Sequence, residues 1–165
     1  MGVSGSGKST LGIRLADAFH CPFLEGDDFH DAAAVEKMRS GEPLTDDDRW
    51  PWLDRLGRAL AVAAQEHGRA VAACSALRRV YRERLEAAVG GATRFVLLDN
   101  DRDVLARRMA ARPGHYMPAS LVDSQLATLE RPEADEPAIT LDSNAPPDRL
   151  CREARAWIDG GAPRA

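Results

Sequence analysis

Gly2-Val3-Ser4-Gly5-Ser6-Gly7-Lys8-Ser9 matches, position by position, the pattern G-x-x-x-x-G-K-[ST]. In this pattern the glycines let successive backbone N–H groups turn inward around an anion. The lysine reaches the β- and γ-phosphates of a nucleotide, and the final hydroxyl holds Mg²⁺. The helix that follows adds the positive end of its dipole. Gly2, Ser4, Gly5, Ser6, Gly7, Lys8, Ser9 and Thr10 are therefore the candidate ligands of ATP phosphates, with Ser9 as a metal ligand.

Outward from this loop the hydrophobic pattern alternates between two periods. Leu11, Leu15, Ala18 and Phe19 recur at helical spacing, the stripe of a helix lying on a sheet. A short apolar run, 22–24, enters the acidic cluster Glu25-Gly26-Asp27-Asp28, and 35–39 suggests a short helix. Residues 41–51 read as a polar connection before a helix carrying Leu53, Leu56, Leu60 and Ala64. Strand candidates at 69–74 and 94–98 are each followed by a helix; 138–141 reads as a last strand and 150–158 as a closing helix. Arg112-Pro113-Gly114-His115 breaks helix before a further helical stripe, so about 112–130 is the expected lid, and 160–165 a frayed tail. The alternation predicts one α/β domain over 1–165: a P-loop NTPase fold, a three-layer sandwich of parallel sheet between helices with a small helical lid. Ligands in such folds bind beyond the carboxyl ends of the strands.

Composition agrees with one core and one site. The chain has 165 residues, 44% of them hydrophobic, and a net charge of −4 with no basic stripe, which argues against nucleic acid as a partner. Cys21, Cys74 and Cys151 are odd in number and lack metal-ligand spacing, as in a reducing cytoplasmic compartment, and no signal peptide or membrane span is legible. Only Lys8 and Lys37 are lysines among the 22 basic residues, so a lysine in the loop stands out and an arginine by itself does not.

Phosphoryl transfer requires positioning and charge neutralisation around a phosphate cradle, a metal, a base and cations. Asp27 follows the strand expected nearest the loop and has two possible tasks: taking the acceptor hydroxyl's proton, or holding Mg²⁺ through water. Asp28 is the alternative carboxylate. Arg49, Arg78 and Arg82 lie where a guanidinium can hold an acidic sugar through paired hydrogen bonds. Arg108 and Arg112, before the lid break, are placed to swing onto ATP phosphates on closure. His30 and His115 fall in loops where either can hydrogen-bond a polyol hydroxyl, while Trp50 and Trp52 read as packing anchors.

Taken together these residues resemble the gluconokinase family of small P-loop carbohydrate kinases. The resemblance runs through the loop, Glu25 to Asp28 with His30, Lys37-Met38, Gly41 to Leu44, Asp46 to Leu53, Cys74 to Arg82, Gly114-His115, Ser124-Gln125, and Leu129-Glu130 with Pro132 and Asp135-Glu136. It implies transfer of the ATP γ-phosphate to the 6-hydroxyl of D-gluconate, with Mg²⁺ and often as a homodimer. It also implies Asp27 as base-side carboxylate, Ser75, Arg49, Arg78 and Arg82 as sugar-acid contacts, and Arg108 and Arg112 as lid cations. Asp31 and Ala34 stand where the family usually has Pro and Asn, and Arg78 where it has Lys. The rival readings are a kinase of another small acid such as shikimate, and a nucleotide- or gluconate-binding protein without catalysis.

A strand normally leads into this loop, yet only Met1 precedes Gly2. About five buried apolar residues contribute about 8 to 15 kcal/mol, comparable with a domain's whole stability of about 5 to 15 kcal/mol. The expectation is a native start upstream of Met1.

Overall fold

The computed structural model describes residues 1–111 and 121–160. Among these residues four short strands, β1 (Phe23–Glu25), β2 (Val71–Ala73), β3 (Phe95–Asp99) and β4 (Ala138–Asp142), form two parallel pairs. In β1·β2, Phe23, Leu24 and Glu25 lie opposite Val71, Ala72 and Ala73. In β3·β4, five residues from Phe95 to Asp99 lie opposite Ala138 to Asp142.

Met1 and Gly2 join the two pairs. The Met1 ammonium donates to Val96 O (2.6 Å) and Met1 O accepts from Leu98 N (3.0 Å), while Gly2 N donates to Ser75 O on the other side (3.1 Å). The first bond pair is the pattern of a parallel ladder, so Met1 continues β3 sideways and Gly2 reaches the residues beyond β2. Behind them, between β2 and β3, lies an apolar cavity of about 620 Å³ lined by Val71, Ala73, Phe95 and Val96 among others.

Helices cover both faces, as period-two strands require. Val71, Val96, Leu98, Ile139 and Leu141 pack on α1 (Lys8–Phe19) and α7 (Pro147–Gly160) through Leu11, Leu15, Leu150 and Ala154. The alternate residues Leu24, Ala72, Phe95 and Ala138 face α3 (Asp46–His67) and α4 (Arg79–Val89), packing on Trp52, Leu53, Leu56, Tyr81 and Leu85. A third cluster, Val3, Ala34, Met38, Leu44, Leu77, Leu105, Met109 and Val122, ties the phosphate loop to α2 (Ala32–Arg39), α5 (Arg102–Ala110) and α6 (Leu121–Thr128). This is the expected P-loop kinase fold of parallel strands between helices.

One boundary differs from the sequence reading. The polar stretch before Trp52 is already helical from Asp46, with Pro51 inside. Thr45 Oγ1 accepts from Asp48 N, and Asp48 Oδ2 accepts from Thr45 N, which closes a capping box. Asp46, Asp47 and Asp48 in the first turn complement the helix dipole. The cap sets the helix start, and the burial of Trp52, Leu53 and Leu56 holds the turn in which Pro51 removes one backbone hydrogen bond.

Candidate active site

The loop folds as its glycines dictate. Gly2, Gly5 and Gly7 have φ of 137°, 83° and 96°, the region that residues with a Cβ avoid. Gly7 caps α1 with no side-chain partner, so the first amides of that helix are offered to an anion. Lys8 Nζ bends back to donate to Val3 O at 3.3 Å.

β1 ends in a 3₁₀ turn, Gly26–Phe29, which carries Asp27 to the mouth of the loop. Gly26 is required there by close approach: a Cβ would sit 2.3 Å from Ala73 O on the neighbouring strand. Helix α3 grips the same turn from outside. Trp52 Nε1 donates to Gly26 O (2.7 Å) and Arg55 Nε to Phe29 O (2.8 Å), and the Trp52 ring stacks on His30 with centroids 4.2 Å apart.

A small cavity of about 40 Å³ gathers Ser4, Lys8, Asp27, His30, Arg49 and Ser75, six of the residues proposed from sequence. Among the described residues the larger cavity in the sheet shares only Lys8 with it, so it is not where the chemistry converges. Burial pushes His30 down to about 4, with the carboxylates of Asp27 and Asp31 opposing and Arg55 and Arg49 reinforcing the fall. The ring is therefore neutral at pH 7, and its Nδ1 is buried without a partner among the described residues. A neutral imidazole suits a hydroxyl better than a carboxylate.

Arg49 is braced where it lines the cavity, and the remaining arginines proposed from sequence fall elsewhere. Arg49 Nη1 donates to Tyr81 Oη (3.1 Å), whose hydroxyl is hydrogen-bonded to Asp46. Arg78 is held by Asp46 (2.7 Å) and Glu130 (3.1 Å), outside the small cavity. Arg82 requires correction as a sugar contact. It is 1% exposed, ion-paired with buried Glu136 at 2.5 Å, and its Nη1 donates to the carbonyls of Ala76, Leu77 and Glu130. Burial has turned it into a brace for the segment after β2, and it holds the Glu136 carboxyl below the ordinary carboxylate range. Arg108 reaches Ser143 O (3.0 Å) and Oγ (3.2 Å) in the turn after β4, away from the cavity. Asp28 points to solvent. Trp52 is an anchor, 2% exposed. Arg112 and His115 lie outside the described residues.

Two residues carry more than sequence reasoning assigned them. The Ser9 hydroxyl donates to Glu25 Oε2 at 2.5 Å, so the carboxylate beside the expected metal ligand is the last residue of β1. Its strand-final position was the available signal. Gln125, from α6, accepts a hydrogen bond from Ser4 N at 2.7 Å through Oε1 and lines the same cavity; nothing local in the sequence announces that pairing. Among the described residues no helix is long and apolar enough to cross a membrane, and no cluster of His, Cys, Asp or Glu is spaced as a metal cage.

Residues 1–132 match the protein family described as an AAA domain. A gluconokinase of Gluconobacter oxydans (strain 621H) is 46% identical over 153 residues, 93% of this chain and 85% of that protein. Among solved structures, a sugar kinase from Janibacter sp. HTCC2649 superposes with a TM-score of 0.90 at 44% identity, covering 96% of this chain and 91% of that one. A gluconokinase from Sinorhizobium meliloti 1021 superposes with 0.87 at 45% identity, covering 98% and 90%.

Proposed function

Since this chain belongs to the gluconokinase family, we propose that it transfers the γ-phosphate of ATP to the 6-hydroxyl of D-gluconate, giving 6-phosphogluconate and ADP. The observation that carries the reading at residue level is the joint placement of Lys8, Asp27 and Arg49 around one small cavity. A phosphate cation, a carboxylate able to take a proton and a guanidinium able to hold an acid are the groups this transfer requires.

In the proposed mechanism the loop amides and Lys8 hold the β- and γ-phosphates. Arg49 receives the gluconate carboxylate; neutral His30 and Ser75 hydrogen-bond its hydroxyls. Asp27 accepts the proton of the attacking hydroxyl as the new P–O bond forms and the bond to ADP breaks. Arg78 and Arg82 act behind this layer, fixing Asp46, Glu130 and Glu136. Arg108, with Arg112, is assigned to the nucleotide phosphates on closure.

The paired oxygens of Ser9 and Glu25 suit a hard cation. Mg²⁺ bound there would neutralise charge on the β- and γ-phosphates, with Ser9 as direct ligand and Glu25 or Asp27 acting through water. An ATP-consuming enzyme of this kind belongs with the cytoplasmic nucleotide pool.

A coupled assay of ADP release across gluconate, other sugar acids and shikimate tests the reading. Turnover with gluconate well above the others is expected. Preference for shikimate, or binding of gluconate and ATP without turnover, would replace it.

A further inference from the structure

The hydroxyl of Tyr81, on α4, joins two residues at the start of α3. Arg49 Nη1 donates to Tyr81 Oη at 3.1 Å, and the hydroxyl itself is hydrogen-bonded to Asp46 Oδ1. The direction of both bonds is fixed by chemistry. A guanidinium only donates and an ionised carboxylate only accepts, so the single phenolic proton goes to Asp46 and an oxygen lone pair receives Arg49. The Tyr81 bond and Arg78, opposed by desolvation, hold the Asp46 carboxyl below the ordinary carboxylate range, while burial and then the bond to Asp46 push the Tyr81 hydroxyl up. At pH 7 the acid is therefore ionised and the phenol keeps its proton.

Asp46 competes for Arg49. Its Oδ1 lies 3.9 Å from Arg49 Nη1, beyond hydrogen-bond reach, and a movement of about 1 Å would close the two into a direct ion pair. Arg49 lines the small cavity whereas Asp46 and Tyr81 do not, so that closure would draw the guanidinium toward a carboxylate outside the cavity. Two features oppose it. Both carboxylate oxygens are occupied, Oδ1 by the phenol and Oδ2 by Arg78 Nη1 at 2.7 Å, with Arg78 Nε held in turn by Glu130 at 3.1 Å. The phenol is also fixed in place: Tyr81 is 2% exposed, packs with Trp52, Leu53, Leu56 and Leu85, and meets the Trp50 ring edge-on at 5.5 Å.

We propose that Tyr81 is a positioning residue for the acid end of the substrate: its hydroxyl holds Arg49 at the cavity and out of a direct ion pair with Asp46, so that the guanidinium charge remains for the substrate carboxylate. The proposal rests on the kinase reading above, in which Arg49 receives that carboxylate.

The test is steady-state kinetics of the full chain with gluconate and ATP varied in turn. Tyr81→Phe keeps the ring and its packing and removes only the oxygen. One hydrogen bond to a charged group corresponds to about tenfold in affinity. The KM for gluconate should accordingly rise about tenfold, with kcat and the KM for ATP within about twofold of wild type and the unfolding midpoint close to it. In an Arg49→Gln background, whose own gluconate KM is raised, the same change should add less than about twofold, because the group it acts through has gone. An unchanged gluconate KM in Tyr81→Phe, an equal rise for both substrates, or an undiminished effect in the Arg49→Gln background would overturn the proposal, since a ring that merely supports the fold acts on both substrates and acts without Arg49. A wild-type chain that does not phosphorylate gluconate, or an Arg49→Gln chain with an unaltered gluconate KM, would instead overturn the reading on which the proposal rests.

Discussion

With its amine free, as in the 165-residue chain, Met1 places an ammonium in an unfavourable position, and the effect on stability can be worked out. It lies part-buried between β2 and β3, donating to Val96 O at 2.6 Å. Desolvation lowers its pKa from about 8 to about 5, with repulsion from Lys8 adding to the fall and Cys74 slightly opposing it. The folded state therefore releases a proton that the unfolded chain keeps between pH 5 and pH 8. Stability rises with pH across that window, is complete above about 8, and carries the full deficit below about 5. A shift of this size corresponds to about 4 kcal/mol, a large share of an ordinary domain's stability. Acetylating the amine isolates the effect: the amide still has an N–H for Val96 O but cannot be charged, and the 620 Å³ cavity behind it has room for the acetyl group. Urea unfolding of free and acetylated chains at pH 5, 6, 7 and 8 gives the comparison, in which the contribution of His30 cancels. The acetylated chain should gain about 4 kcal/mol relative to the free one on going from pH 8 to pH 5. Parallel stability curves for the two forms would refute the argument.

Three further expectations concern the site and its supports. Asp27→Asn should lower kcat by about 10²- to 10⁴-fold while nucleotide affinity changes little; full kcat in stopped-flow or coupled assays would mean that another group takes the proton. Gly26→Ala forces a Cβ against Ala73 O and shifts the turn bearing Asp27, so kcat should fall about 100-fold with ADP binding retained, and a variant with normal kcat would show the turn to be tolerant. Arg82→Ala leaves the Glu136 carboxylate with the Glu133 N–H but no cation and should cost about 3 kcal/mol in urea unfolding, with Arg82→Met combined with Glu136→Leu recovering much of it; a double variant no better than the single one would sink that account.

Much of the fold is legible in the sequence because its signals are local. The glycine pattern before Lys8 specifies the loop, and the alternating strand residues and helical stripes specify which faces are covered. Val71 and Ala72, neighbours in β2 yet on opposite faces, follow directly from period two. The start of α3 was obscured because Pro51 is a stronger local signal than the reciprocal bonds of Thr45 and Asp48. What could not be read is long-range pairing. Arg82 and Arg49 look alike in a linear reading, yet one meets Glu136, 54 residues away, and is buried, while the other faces the site. Ser4 and Gln125 are 121 residues apart, and only folding brings such pairs together.

The two halves of the sheet divide the labour of the reaction. The β1·β2 half carries Asp27, Ser75 and the turn gripped by Trp52, while the β3·β4 half carries Arg108 and the Ser143 turn. Their only main-chain stitch among the described strand residues is Met1–Gly2, at the root of the phosphate loop. The helices bind the halves more widely, since Val71 packs with Val96 and Leu98 against α1 and α7, and Leu24 and Ala72 with Phe95 and Ala138 against α3 and α4. The supports of donor and acceptor are thus clamped between shared helices, and a substitution that loosened those helices would shift both sides of the reaction at once.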